Sequence, residues 1–163
     1  MGLKRVSVIG LCLAAVAAVV MLAAVIIRPP KIYISEICPS NSETSEKTAM
    51  QDKNGEPSDW IEIYNPTNKD ISLTGFSLSK NGGGDQPLGG YVIKAHDYII
   101  VYCSSAGFEN ADFPHADFSI GKVSEAEIIL KYDSLQCESI KLPKLNKGVS
   151  YSKNAKGEMY VSE

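Results

Sequence analysis

The sequence predicts an all-β sandwich behind a single apolar helix. Residues 6–27 form a run of 22 positions without one charged side chain. Beyond residue 31, short apolar or alternating runs recur between turns rich in glycine, asparagine and proline, the spacing of a two-sheet sandwich. No stretch there repeats its apolar residues at helical intervals. Of 163 residues, about 133 follow the Pro29-Pro30 pair. That is enough for one modest core and too little for a TIM barrel or a two-domain nucleotide enzyme.

The elements follow in order. As a helix, 6–27 would span about 33 Å, enough to cross the hydrocarbon layer. It is apolar on every side, which a buried soluble helix is not. It also exceeds the apolar core of a cleaved signal peptide. Residues 1–5 read as a cytoplasmic tail, 28–31 as a linker, and 32–153 as the folded domain. Residues 154–163 read as a C-terminal segment. Lys4 and Arg5 precede the run, and Arg28 and Lys31 follow it. The short tail has nothing to export, so the expected orientation puts the domain outside the plasma membrane as a single-pass protein.

Within the domain, residues 32–37 alternate like a half-buried strand. Residues 39–58 read as a long polar surface loop. Residues 60–64 form a strand with Ile61 and Ile63 on one face and Trp60, Glu62 and Tyr64 on the other. Asn65-Pro66 stops it. Strands are expected at 71–73, 76–78 and 91–93, with turns at 81–85 and 95–97. The most apolar run, 98–103, reads as a central strand covered on both faces. Strands are expected again at 118–120, 127–132, 138–142 and 149–151, with 133–136 as a hairpin loop.

Charge narrows the function classes. The first 28 residues hold three basic side chains and no acid; the rest carries 13 basic and 19 acidic ones, a balance of −6. Such a surface is a poor match to nucleic acid, which needs clustered lysine and arginine. The Lys141, Lys144, Lys147 cluster reads as solvated strand and loop. Outside the apolar run, which holds Cys12, the cysteines are Cys38, Cys103 and Cys137, an odd number. None sits in a C-x-x-C pair, and they read as small apolar side chains.

The segment 58–66, Ser-Asp-Trp-Ile-Glu-Ile-Tyr-Asn-Pro, is followed by 71–79, Ile-Ser-Leu-Thr-Gly-Phe-Ser-Leu-Ser. With residues 34–37, 52–56 and 98–102, this order resembles the lamin tail domain in its bacterial form, over about residues 32–153. The resemblance implies an immunoglobulin-like β-sandwich that binds or scaffolds. Bacterial members often accompany catalytic modules such as spore-coat-protein-H-like kinases or nucleases. One alternative is therefore the accessory part of a larger cell-surface enzyme whose catalytic domain lies beyond residue 163. The family's Thr-Pro-Gly-like closing segment is missing, which suggests truncation. No heptads precede the domain, so the filament role of eukaryotic relatives is not implied.

Chemistry-bearing residues are sparse. His96 and His115 read as solvated loop histidines, and no G-x-S-x-G elbow is present. Gly82-Gly83-Gly84 lacks the spacing of a phosphate loop. Asp52, Asn54, Glu56, Asp59 and Glu62 place oxygen ligands around Gly55, so a calcium-dependent adhesin is a further alternative. Their spacing departs from an EF-hand, and the competing reading is structural, with Asp59 capping a turn and Trp60 near a sheet edge. The expectation is a protein without catalytic residues, metal or cofactor, and without a small-molecule substrate. Strand tyrosines Tyr33, Tyr64, Tyr91, Tyr98, Tyr102 and Tyr132 offer a contact surface for a protein or a cell-wall polysaccharide.

Overall fold

The computed structural model describes residues 28–41, 49–52, 55–105, 113–121 and 125–162. The apolar run at 6–27 and its predicted membrane helix lie outside them. Among the described residues there is no helix, and hence none long and apolar enough to cross a membrane. Among the described residues, twelve strands run in order: β1 (Tyr33–Cys38), β2 (Asp59–Tyr64), β3 (Ile71–Ser72), β4 (Phe76–Lys80), β5 (Gln86–Pro87), β6 (Val92–Ile93), β7 (Tyr98–Cys103), β8 (His115–Ala116), β9 (Glu127–Tyr132), β10 (Leu135–Lys141), β11 (Ser150–Lys153) and β12 (Met159–Ser162).

They form a wide sheet, β12-β11-β1-β2-β7-β8, a narrow sheet, β10-β9-β4-β5, and the small pair β3-β6. The arrangement is a sandwich. Ile34, Ile37, Ile61 and Ile63 of the wide sheet share one core with Phe76, Leu78, Ile128 and Leu130 of the narrow sheet. Leu73, Leu88, Ile93 and Ile120 fill its ends, and all are fully buried. The period-2 pattern of residues 60–64 accounts for the placement of β2: Ile61 and Ile63 lie inside, and Glu62 and Tyr64 face outward. Glu138 of β10 joins the layers. Its Oε2 accepts from Ile34 N at 2.8 Å and its Oε1 from Lys153 Nζ.

Two local devices explain the Asp-Trp-Ile-Glu-Ile-Tyr-Asn and Leu-x-Gly-Phe segments. Asn65 follows β2 and is fully buried. Its Nδ2 donates to the carbonyls of Lys69 (2.7 Å), Ile93 (3.1 Å) and Lys94 (2.9 Å). Its Oδ1 accepts from Thr67 N (3.0 Å) and Thr67 Oγ1 (2.7 Å). One side chain thus ties the end of β2 to β6. Gly75 sits at φ +87°, in a turn closed by Phe76 N donating to Leu73 O at 2.9 Å. A Cβ at Gly75 would meet Asp133 Oδ1 and Tyr132 Cε2 at 3.1 Å. The turn lets Leu73 and Phe76, two residues with essentially no exposure, both face the core.

Four expectations need correction. The run 98–103 is not covered on both faces: Val101 and Cys103 are buried, but Tyr98 is 58% exposed and Ile100 and Tyr102 are only half-buried. The narrow sheet packs against one side of the wide sheet; on the other, Tyr98 is exposed and Tyr102 bonds to Gln51 in the described part of the β1–β2 connection. No strand forms at 118–120; β8 at His115–Ala116 pairs parallel to β7 instead. Residues beyond β8 are anchored by a side chain, with Asp59 Oδ2 accepting from Ser119 Oγ (2.9 Å) and Gly121 N (2.8 Å). The segment 39–58 is not simply a surface loop, because Ser40, Asn41, Ala49, Asp52 and Ser58 are buried. Finally, residues 154–163 contribute β12, paired with β11 in a hairpin organised by Asn154, whose Oδ1 accepts from Lys156 N and Glu158 N.

Candidate functional site

The side of the wide sheet turned away from the core collects the chemistry-bearing side chains. Residues directly opposite in a sheet share a face, so the register sorts them into rungs. One rung is Tyr33–Tyr64–Tyr98 across β1, β2 and β7. The next runs Tyr160–Ser152–Glu36–Glu62–Ile100 across β12, β11, β1, β2 and β7. The third is Cys38–Trp60–Tyr102–His115.

The third rung is covered. Trp60 is 9% exposed and Cys38 3%, although both point away from the core. The described parts of the β1–β2 connection fold over them. Asn41 Nδ2 donates to Ser58 O at 2.8 Å, and its Oδ1 accepts from Met50 N at 3.1 Å. Tyr102 Oη donates to Gln51 O at 3.1 Å. Burial, with the charge of Asp52 added, raises the Tyr102 phenol. Trp60 therefore lies in the middle of the sheet, not near an edge. The expected polar loop is buried through its polar residues, because Asn41 and Asp52 bond to backbone and hydroxyl groups that would otherwise lose water.

Across the other two rungs Tyr98 and Tyr160 are exposed, Tyr33, Glu36, Glu62, Tyr64 and Ile100 are half-buried, and Ser152 is buried. Tyr33 and Tyr64 are half-buried with ring centroids 5.6 Å apart and planes tilted by 58°. Lys153 Nζ lies 4.6 Å from the Tyr33 ring centroid. Partial burial raises the Tyr33 phenol, and Tyr64, Glu138 and Glu62 add to the effect. Glu36 and Glu62 stand directly opposite each other beside a register shift at Ser35. Ser35 Oγ donates to Glu62 Oε1 at 2.5 Å, and Ser150 Oγ donates to Glu36 Oε1. Among the described residues no lysine, arginine or histidine forms an ion pair with either glutamate. Beside them, Ser152 is 7% exposed and its Oγ has no hydrogen-bond partner.

Of the five acidic and amide candidates, the four that lie among the described residues do not converge. Asn54 lies outside the described residues. Asp52 is buried and builds its own turn: Oδ1 accepts from Glu56 N (3.1 Å) and Oδ2 from Ser58 Oγ (2.6 Å). Glu56 is exposed. Asp59, expected to cap a turn, accepts from Ser119 Oγ and Gly121 N. Glu62, three residues on in the same strand, points to the opposite face from Asp59. Among the described residues no three His, Cys, Asp or Glu side chains are grouped to hold a metal ion.

The histidines are both engaged. His96 sits in the expected turn at φ 57°, with Nε2 2.5 Å from Asn68 Oδ1. His115 is not a loop residue. It lies in β8, half-buried, with Nε2 3.1 Å from Ser104 Oγ. Burial pushes its imidazolium down from the usual value, against the pull of Asp117 and Asp52. Cys38 is buried, with Sγ donating to Val149 O at 3.9 Å. Cys103 and Cys137 are free thiols, and burial pushes Cys103 well up. Cys137 is exposed, unlike the buried apolar role expected of it.

Sequence reading placed Trp60, Glu62 and Tyr64 on the face opposite Ile61 and Ile63, and offered Tyr33, Tyr98 and Tyr102 only as strand tyrosines of a contact surface. It missed Glu36 and Ser152, because pairing between strands more than twenty residues apart has no local signal. Tyr91 and Tyr132 leave the surface: Tyr91 Oη donates to Phe113 O at 2.7 Å, and Tyr132 packs on Phe76 at 4.8 Å. A comparison with family models finds one described as Lamin Tail Domain over residues 28–142, which covers β1 to β10. No curated protein matches the chain.

Proposed function

The chain belongs to the lamin tail domain family, and from that premise we propose that it is a membrane-tethered binding and scaffolding module without catalysis of its own. The sandwich is the supporting body, and we read its arrangement as immunoglobulin-like. The outward side of the wide sheet is the working surface. The observation that carries this reading is the partly exposed stretch of that surface, where Tyr33, Tyr64 and Tyr98 stand beside Glu36 and Glu62 on a sheet. Aromatic and charged groups held on strands suit recognition, since little side-chain freedom is lost on binding.

The uncharged run 6–27 supports a single-pass anchor, with the domain on the outer side of a bacterial plasma membrane. The engagement of His96 with Asn68 and of His115 with Ser104 supports structural roles for both imidazoles. Fractionation of cells producing the full chain tests the tether. The chain is expected in the membrane pellet, resistant to alkaline extraction and released by detergent. Protease added to intact cells is expected to cleave the domain. Recovery in the soluble fraction, or protection until lysis, would contradict the reading.

A further inference from the structure

We propose that the Glu36–Glu62 rung is a receptor site for a basic segment of a protein partner, with an ammonium or guanidinium group seated between the two carboxylates. The proposal deepens the reading of the domain as a binding module and does not depend on the tether.

Two carboxylates directly opposite each other on neighbouring strands bring their Cβ atoms to about 5 Å and repel. A sheet stabilised only for its own sake would place a lysine or arginine at one of these positions. Here, among the described residues, the only partners are the hydroxyls of Ser35 and Ser150. The nearby cation, Lys153, is held elsewhere, by Glu138 and over the Tyr33 ring. The rung is left with two negative charges and no counter-charge among the described residues.

A second feature points the same way. Ser152 is opposite Glu36 in register and shares its face, and its Oγ is unpartnered although the residue is only 7% exposed. A buried hydroxyl without a partner is uncommon and has a physical cost. An incoming N–H donor satisfies it together with the carboxylates. Tyr64 supplies a ring at the border of the site, where the stem or the charge of a basic side chain can rest.

The chemistry selects among ligands. Calcium wants six to eight oxygens, and this rung offers two carboxylates and one hydroxyl in a line. A polysaccharide wants a flat aromatic platform, whereas the Tyr33 and Tyr64 rings are tilted by 58°. A basic peptide needs hydrogen-bond acceptors, negative charge and a ring edge, and these are present. The domain's balance of −6 adds a long-range attraction that salt screens.

The test uses the full chain in a non-ionic detergent and an acetylated, amidated penta-arginine peptide as probe, titrated calorimetrically at low salt. Saturable binding is expected, weakening as salt rises and falling at least tenfold in Glu36→Gln/Glu62→Gln. That variant keeps one acceptor oxygen at each position for the Ser35 and Ser150 hydroxyls, and its melting temperature checks that it folds. Glu125→Gln/Asp133→Asn removes the same charge from exposed positions beside the narrow sheet and is expected to bind within about twofold of wild type, the precision of the comparison. No saturable heat with wild type, or equal loss in both double variants, overturns the proposal. Saturation by uncharged cellohexaose in place of the peptide also overturns it, in favour of a polysaccharide. Failure here leaves the tether to be judged by fractionation.

Discussion

Asn65 and the Glu36–Glu62 pair are polar features on or beside the same strand, and the fold treats them in opposite ways. Asn65 is fully buried and makes five hydrogen bonds, using both donor hydrogens and its oxygen. The glutamates are half-exposed and, among the described residues, form no ion pair and bond only to serine hydroxyls. A satisfied polar group in a core marks a structural joint. An unsatisfied one at a surface marks a place where something else is expected to bind. The contrast separates the residues that hold the sandwich together from those that give it work.

The sharpest way to break the contrast is at the joint. Asn65→Ala leaves three backbone carbonyls without their donor and is expected to cost on the order of 3 kcal/mol or more. Chemical unfolding measures this, and a loss below about 1 kcal/mol would show that water replaces the amide. The joint's companion is the turn at Gly75. Gly75→Ala forces a side chain onto φ +87° and against Tyr132 and Asp133. The expected loss is about 1–3 kcal/mol, read the same way.

A smaller effect is tied to pH. His115 in the folded chain holds its proton less well than in the unfolded chain, whose value is near 6.5. The unfolded state therefore binds more protons in the interval below 6.5, and stability falls as pH drops through it. The contribution is fully present above 6.5 and lost toward the lower folded value. His115→Asn is expected to flatten the change in melting temperature between pH 7.5 and pH 5. An unchanged slope would place the sensitivity in another group.

Much of the joint was legible in the chain and little of the working surface was. The alternation of residues 60–64 predicts which side chains of β2 face inward, because strand periodicity is local. Asn65-Pro66 reads correctly as a stop, but its reach to Ile93 and Lys94 depends on a neighbour about thirty residues away. The Gly75 turn is visible as Leu-x-Gly-Phe, since a positive φ favours glycine. By contrast, the Glu36–Glu62 opposition depends on the register between β1 and β2, across a connection whose length no local rule fixes. His115 was misread for the same reason. Its strand exists only through pairing with β7, and two residues have no periodicity of their own. The run 98–103 was misjudged because apolar content alone does not reveal how many layers cover a strand.

The smallest expected effect is also the most direct test of the central contrast. Thermal unfolding of Glu36→Gln/Glu62→Gln, compared with wild type at low salt, removes the repulsion and keeps the hydroxyl acceptors. The predicted result is a variant more stable than wild type by up to about 1 kcal/mol, with the gain shrinking as salt is added. A variant less stable than wild type at every salt concentration would show that the two carboxylates hold the sheet together, and would contradict the account.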